Sequence, residues 1–166
     1  MNAQDKQKFQ VKTVCQVGVV VKDLDQVVKD WTENFGFGPW TFLETPTTRY
    51  AAVFVGPIEF ELVQPIDGKM QGEAGRSIQD FLDKWGDGIH HVAFLVDDVQ
   101  AEASTLTANG VKLLAQGGLE WAYFLSGGPR STIFELMRRA NYDLIKEKGL
   151  QGFWEEKMKE RQAKKP

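Results

Sequence analysis

Cysteine is almost missing from this chain: of 166 residues, only Cys15 carries a thiol. No internal disulfide can form, a thiolate metal cluster within one chain is excluded, and any metal site must use nitrogen and oxygen ligands. Long apolar runs are missing too. No stretch reaches the roughly 18 residues of a membrane-spanning helix, and the start Met1-Asn2-Ala3-Gln4-Asp5-Lys6 lacks a signal-peptide pattern, so a cytoplasmic location is expected by default. Nor does one sign of charge dominate. Twenty Lys and Arg against 23 Asp and Glu leave a net charge of -3, which offers no electrostatic reason to bind nucleic acid or an anionic membrane. Apolar residues at 42% and charged residues at 26% are ordinary for a globular chain and argue against wholesale disorder. The length suits one well-buried domain, or two small modules sharing a core.

What the chain does have is a doubling. The run Gly88-Ile89-His90-His91-Val92-Ala93-Phe94-Leu95-Val96 puts a histidine at the head of an apolar stretch, and Val14-Cys15-Gln16-Val17-Gly18-Val19-Val20-Val21 does the same with a glutamine. At an offset of 75, Gln16 falls on His91, Val17 on Val92, Val21 on Val96 and Asp23 on Asp98. Phe60-Glu61-Leu62 returns as Phe134-Glu135-Leu136 at an offset of 74. Such self-similarity predicts one supersecondary unit used twice.

Each copy reads as β-α-β-β-β, giving an α+β fold of two tandem βαβββ modules. In the first, the β-branched run 14–21 is a buried strand, and Asp23 caps a helix carrying Leu24, Val27, Val28, Trp31 and Phe35 at helical spacing. Gly36 and Gly38-Pro39 end that helix, and strands follow over 40–44, 49–55 and 58–64, the last two joined at Gly56-Pro57. The second module repeats the order with strands over 89–96, 111–115, 120–126 and 131–138, a helix from about Asp98 to Asn109, and a turn at Gly127-Gly128-Pro129. The predicted organisation is a polar N-terminal tail over 1–12, modules over 13–65 and 88–139, a linker with a short helix over 66–87, and a C-terminal helical extension over 140–166. The extension, with Ile145, Phe153, Trp154 and Met158, reads as a solvated tail ahead of a dimer contact, broken at Gly149 and Gly152.

Strand alternation then sorts the polar residues. Gln16, Gly18 and Val20 share one face and Val17, Val19 and Val21 lie under the helix. His91, Ala93 and Leu95 share the equivalent face, while His90, Val92, Phe94 and Val96 take the other, with His90 against the helix layer or the module junction. Gln16 and His91 are thus expected to line one concave surface. Glu61 and Glu135 each sit inside an otherwise apolar strand, where an ionised carboxylate is costly without a partner and two facing one cavity repel each other. A divalent cation held by Gln16, Glu61, His91 and Glu135 answers both problems, its charge cancelled by the two carboxylates. Mixed oxygen and nitrogen ligation suits Zn, Ni, Co, Mn or Fe without choosing among them. The alternative for the two glutamates is pairing with Arg49 or Arg138. Trp40, Phe54, Trp121 and Tyr123 are candidate walls of a substrate pocket, and Lys69 and Arg130 are loop cations within reach of an anionic substrate.

Two β-α-β-β-β modules with a candidate ligand on the first and last strand of each resemble the vicinal oxygen chelate superfamily, which includes glyoxalase I, methylmalonyl-CoA epimerase, extradiol dioxygenases and antibiotic-resistance proteins. The resemblance covers about residues 13 to 138. It implies an incomplete eight-stranded barrel around a cupped metal site, with one divalent ion on Gln16, Glu61, His91 and Glu135, and a homodimer. The quartet is similar to that of glyoxalase I from animals. The words Glu61-Leu62-Val63-Gln64-Pro65 and Trp85-Gly86-Asp87-Gly88-Ile89-His90-His91 look more like the epimerase branch. Two departures matter: epimerases usually begin with His where this chain has Gln16, and they carry a further acid on the third strand, where Ala51 and Ala52 stand here.

The implied function is metal-dependent isomerisation, epimerisation or lysis of a small carbonyl substrate, possible thioesters included. The ion would polarise the carbonyl while Glu135 or Glu61 moves the adjacent proton. The rival is a binding or resistance protein of the same fold that performs no chemistry. A ring-cleaving dioxygenase, which needs two histidines and a glutamate, is disfavoured by Gln16.

Overall fold

The computed structural model describes residues 9, 13–66, 70, 72–127 and 132–163. Lys69, Arg130 and the Gly128-Pro129 part of the expected turn lie outside them. The chain runs β1 (Val14–Val20), α1 (Leu24–Phe35), β2 (Thr41–Glu44), β3 (Thr48–Val55), β4 (Ile58–Pro65), α2 (Gly72–Trp85), β5 (Gly88–Val96), α3 (Val99–Ala108), β6 (Leu113–Gln116), β7 (Trp121–Leu125), β8 (Ile133–Arg138) and α4 (Arg139–Ala163). All eight strands form one mixed sheet in the order β2-β3-β4-β1-β5-β8-β7-β6. Within each module the first and last strands are parallel, β1 with β4 and β5 with β8; the modules meet along the antiparallel pair β1–β5. The sheet curls into a cup but stays open, with β2 and β6 as its edges. No helix of the described residues is long and apolar enough to cross a membrane.

The doubling extends to the helix caps. Asp23 and Asp98 have nearly the same backbone conformation (φ -131° in both), and each carboxylate accepts a 3.0 Å hydrogen bond from the N–H three residues on, at Gln26 and Ala101. On the outer face of the sheet, α1 packs on Val17, Val19, Val21 and Leu62, and α3 packs on Val96, Ala122 and Leu136, as alternation predicts. Phe9 joins this second cluster.

Two places break alternation. Along the β1–β5 seam Gly18 pairs with His91 and Val19 with Ile89, so His90 is an extra residue on β5; Val14 pairs with Phe94 and Gln16 with Ala93, so Cys15 is an extra residue on β1. These bulges re-aim both side chains. His90 turns from the α3 face to the inner side, 5.5 Å centroid to centroid from Phe81 of α2. Cys15 packs with Ala93, Leu95 and Met137. Burial, with the Glu135 and Glu59 charges adding, pushes the Cys15 thiol up to about 12. Native protein at pH 8 is therefore expected to resist iodoacetamide and to take one label in denaturant. Labelling of the native chain, read by mass spectrometry, would mean that the floor of the cup opens.

The C-terminal extension departs most from its reading as a solvated tail. It follows β8 without a loop and lies against the open mouth of the cup, burying Asn141, Tyr142, Ile145 and Leu150. Gly149 (φ 69°, ψ 178°) kinks it as expected, whereas Gly152 stays helical. The kink turns the second half so that Leu150, Phe153 and Trp154 pack over Leu43 and Ala52 beside Ile145.

Candidate active site

The centre of the cup is built on the seam. His91 lies across Gly18, and a Cβ at position 18 would overlap its imidazole ring, so glycine here is a condition of the ring's position. His91 Nε2 stands 3.1 Å from Gln16 Oε1 and 3.1 Å from Glu135 Oε2, while its Nδ1 is 3.0 Å from Nδ1 of His90. Gln16 and His91 are almost wholly buried, and Glu135 is only 6% exposed. Gln16 Nε2 donates back to Glu59 Oε2 at 3.3 Å, which orients the carboxamide so that its oxygen faces the histidine. Three of the four residues singled out as metal ligands thus converge on one nitrogen.

Glu61, the fourth, reaches the same space through charge. It is the register partner of Gly18 on the β4 side of β1, as His91 is on the β5 side. Burial pushes its carboxyl up to about 7, with His91 opposing and Glu135 adding. Glu59, two residues earlier on the same strand face, is fully buried with Oε1 unpartnered. Burial and then the Glu61 charge hold its carboxyl well above the usual range, against the Gln16 hydrogen bond. Burial alone would lower the His91 imidazole, but the Glu135 hydrogen bond and the Glu135 and Glu61 charges carry it above its ordinary value. Two acids, Glu135 and Glu61, therefore act on one histidine, and a third, Glu59, lies behind Gln16. Neither arginine relieves them: Arg49 pairs with Asp25 (2.8 Å) and Glu44, and Arg138 with Glu120.

Above this floor lies a cavity of about 360 Å³, lined at its base by Gln16, Glu61 and Glu135. Trp121 and Tyr123 of β7 form one wall, their rings 4.9 Å apart, and Tyr123 stacks at 5.2 Å on His91. Tyr50 of β3 lines it too. Burial, then the nearby carboxylates, keeps both phenols protonated. Two aromatic candidates lie elsewhere. Trp40 alternates with the inward Leu43, so it falls on the outer face, 6.3 Å from Trp31, and donates to Thr32 Oγ1 at 2.9 Å. Phe54 shares the inner face of β3 but sits beyond the cavity, against Tyr142.

Sequence reading left out Glu59, Tyr50 and the α4 wall. Alternation from Glu61 carries the signal for Glu59. Tyr50 had none, and α4 had only its spacing. Among the described residues, no group of three His, Cys, Asp or Glu side chains is placed to hold a metal ion by itself; the third member of the close trio is the Gln16 carboxamide.

The sequence profile of the Glyoxalase/Bleomycin resistance protein/Dioxygenase superfamily matches residues 15–122. No curated protein matches the chain. Among solved structures, a hypothetical protein from Bacillus halodurans superposes with a TM-score of 0.63 at 20% identity, over 76% of this chain and 94% of its own. Methylmalonyl-CoA epimerase from Mycobacterium tuberculosis gives 0.62 at 24%, over 77% and 88%. A Streptomyces coelicolor methylmalonyl-CoA epimerase variant in complex with 2-nitronate-propionyl-CoA gives 0.62 at 22%, over 79% and 96%. These likenesses establish a shared fold.

Proposed function

Because the chain belongs to the Glyoxalase/Bleomycin resistance protein/Dioxygenase superfamily, we propose that its cup moves a proton at a carbon next to the carbonyl of a small organic substrate. The observation that carries this reading is the convergence of Glu61 and Glu135 on His91, with Glu59 behind Gln16 and no Lys or Arg among the described residues lining the cavity. Such a cluster favours a cation, and the donors present suit a divalent ion: the Gln16 oxygen, His91 Nε2 and the Glu135 and Glu61 carboxylates. When bound, that ion would polarise the substrate carbonyl.

The chain's own groups have separable roles. His91 can offer the Nε2 lone pair only if its proton sits on Nδ1, where His90 Nδ1, 3.0 Å away, can accept it. Glu59 fixes which end of the Gln16 amide faces the centre. Glu135 is engaged by His91, so Glu61 is the better proton carrier. Tyr50 and Tyr123, both protonated, can donate to the oxygen on which charge develops. With no acid on β3, proton removal and return would use the same face of the substrate, which favours isomerisation over two-base epimerisation. All these groups come from one chain, so the expected homodimer is not needed to complete the site.

Metal content after purification without chelator, followed by thermal denaturation with Zn²⁺, Ni²⁺, Co²⁺ or Mn²⁺, tests the cation. A metal at about 100 times its dissociation constant should add roughly 2.7 kcal/mol of stability. Deuterium uptake from D₂O next to the carbonyl of 2-oxo compounds, hemithioacetals and acyl-CoA thioesters tests the chemistry. Absence of both metal binding and exchange would sink the reading. A second reading, a protein that only binds an apolar ligand, is favoured by the hydrophobic wall of α4; it predicts binding without exchange.

A further inference from the structure

The superfamily match ends at residue 122, yet part of the cavity is lined by residues beyond it. Ile145, Leu150, Phe153 and Trp154 of α4 line it together with the β7 aromatics. The wall is anchored on both sides of the kink. Before it, Tyr142 donates to the Pro57 carbonyl at 2.6 Å and Asn141 Nδ2 to the Glu120 carbonyl at 3.3 Å. Beyond it, Lys157, only 12% exposed, pairs with Glu120 at 3.2 Å. Gly149 is seated on β2, where an added Cβ would lie 2.9 Å from Thr41 Cγ2. A helix anchored at these points forms one wall of the cavity.

The enclosed volume lies at the small end of the roughly 300–1,000 Å³ typical of ligand pockets. Away from the base its lining is mainly apolar and aromatic, with Thr47, Thr48 and Asn141 as neutral polar members, and its charged members among the described residues are Glu61, Glu120 and Glu135. The volume suits a compact body, whereas a coenzyme A arm with its several phosphates exceeds it and would meet no Lys or Arg among the described lining residues. Resting on the proton-transfer reading for the base of the cup, we infer that α4 selects compact carbonyl compounds with an aromatic or branched apolar body, in preference to coenzyme A thioesters. The carbonyl end faces Glu61 and Glu135, and the apolar body lies against Trp154, Phe153 and Trp121.

The test is calorimetric binding to the full-length protein of two probes, acetophenone, which is compact and aromatic, and propionyl-CoA, with acetophenone expected to bind more tightly. Trp154→Ala should weaken it at least about tenfold, and Trp154→Phe, which keeps an aromatic wall, by less. Circular dichroism checks the fold of both variants, and if the alanine variant unfolds, the same comparison is made with Phe153→Ala. Tighter binding of propionyl-CoA, acetophenone affinity indifferent to a folded wall variant, or no binding of either probe would each overturn the inference. Its failure is distinguishable from failure of the proton-transfer reading. Acetophenone binding that depends on Trp154, without deuterium exchange on any carbonyl compound, would support the wall and leave the cup a binding site.

Discussion

Glu61→Gln is expected to lower proton-exchange turnover by about 10²–10⁴-fold and, in the same protein freed of metal, to raise stability at pH 8. The two effects have one cause. Burial holds the folded-state carboxyl near 7, whereas in the unfolded chain it titrates near its ordinary 4.5. Between those values the folded state binds the extra proton, so its stability falls as pH rises through this window, and the whole penalty is present above 7. Glutamine never ionises and escapes it. The gain at pH 8 should be on the order of 3 kcal/mol and should shrink toward zero near pH 4, since each pKa unit is about 1.36 kcal/mol. Urea denaturation in chelator at the two pH values measures the difference. A Gln variant that loses stability at pH 8 would mean that Glu61 has a partner in the metal-free cup, and unchanged exchange would remove it from the chemistry.

Gly18→Ala should disable the site with a single methyl group. The substituted carbon would occupy the place of the His91 ring, which is buried and held on three sides by Gln16, Glu135 and His90. The ring cannot withdraw without giving up those bonds, so the cost is overpacking, typically about 1–3 kcal/mol, plus unpaired buried polar groups. Metal-induced stabilisation should vanish, and the His91 resonances should move in an imidazole-detected NMR spectrum. Metal binding at wild-type affinity in Gly18→Ala would show that His91 is not a ligand.

The architecture was legible because it is written twice. The offset joining Gln16 to His91 and Asp23 to Asp98 marks paired strands and paired caps, and alternation placed Val17, Val19 and Val21 under α1 correctly. Alternation failed at His90, because a bulge adds a residue without announcing itself in the apolar pattern. It also went unused at Glu59, whose repeat mate is Ile133: the acid behind Gln16 has no echo in the second module, so a search guided by symmetry passes over it. The wall of α4 was hidden for a different reason. A mixed charged and apolar helix reads alike whether its stripe meets solvent, a second chain or the mouth of its own cup, and only tertiary contacts decide.

The β1–β5 seam has one more consequence. Gln16 and Glu61 belong to the first half of the chain and His91 and Glu135 to the second, and the halves are continuous only through residues 66–87. Anything gripped by all four therefore acts as a crosslink between the halves. A chain cut in that linker should hold together more tightly when the cup is filled than when it is empty, and the dissociation constant of the two fragments would then report occupancy without any assay of turnover.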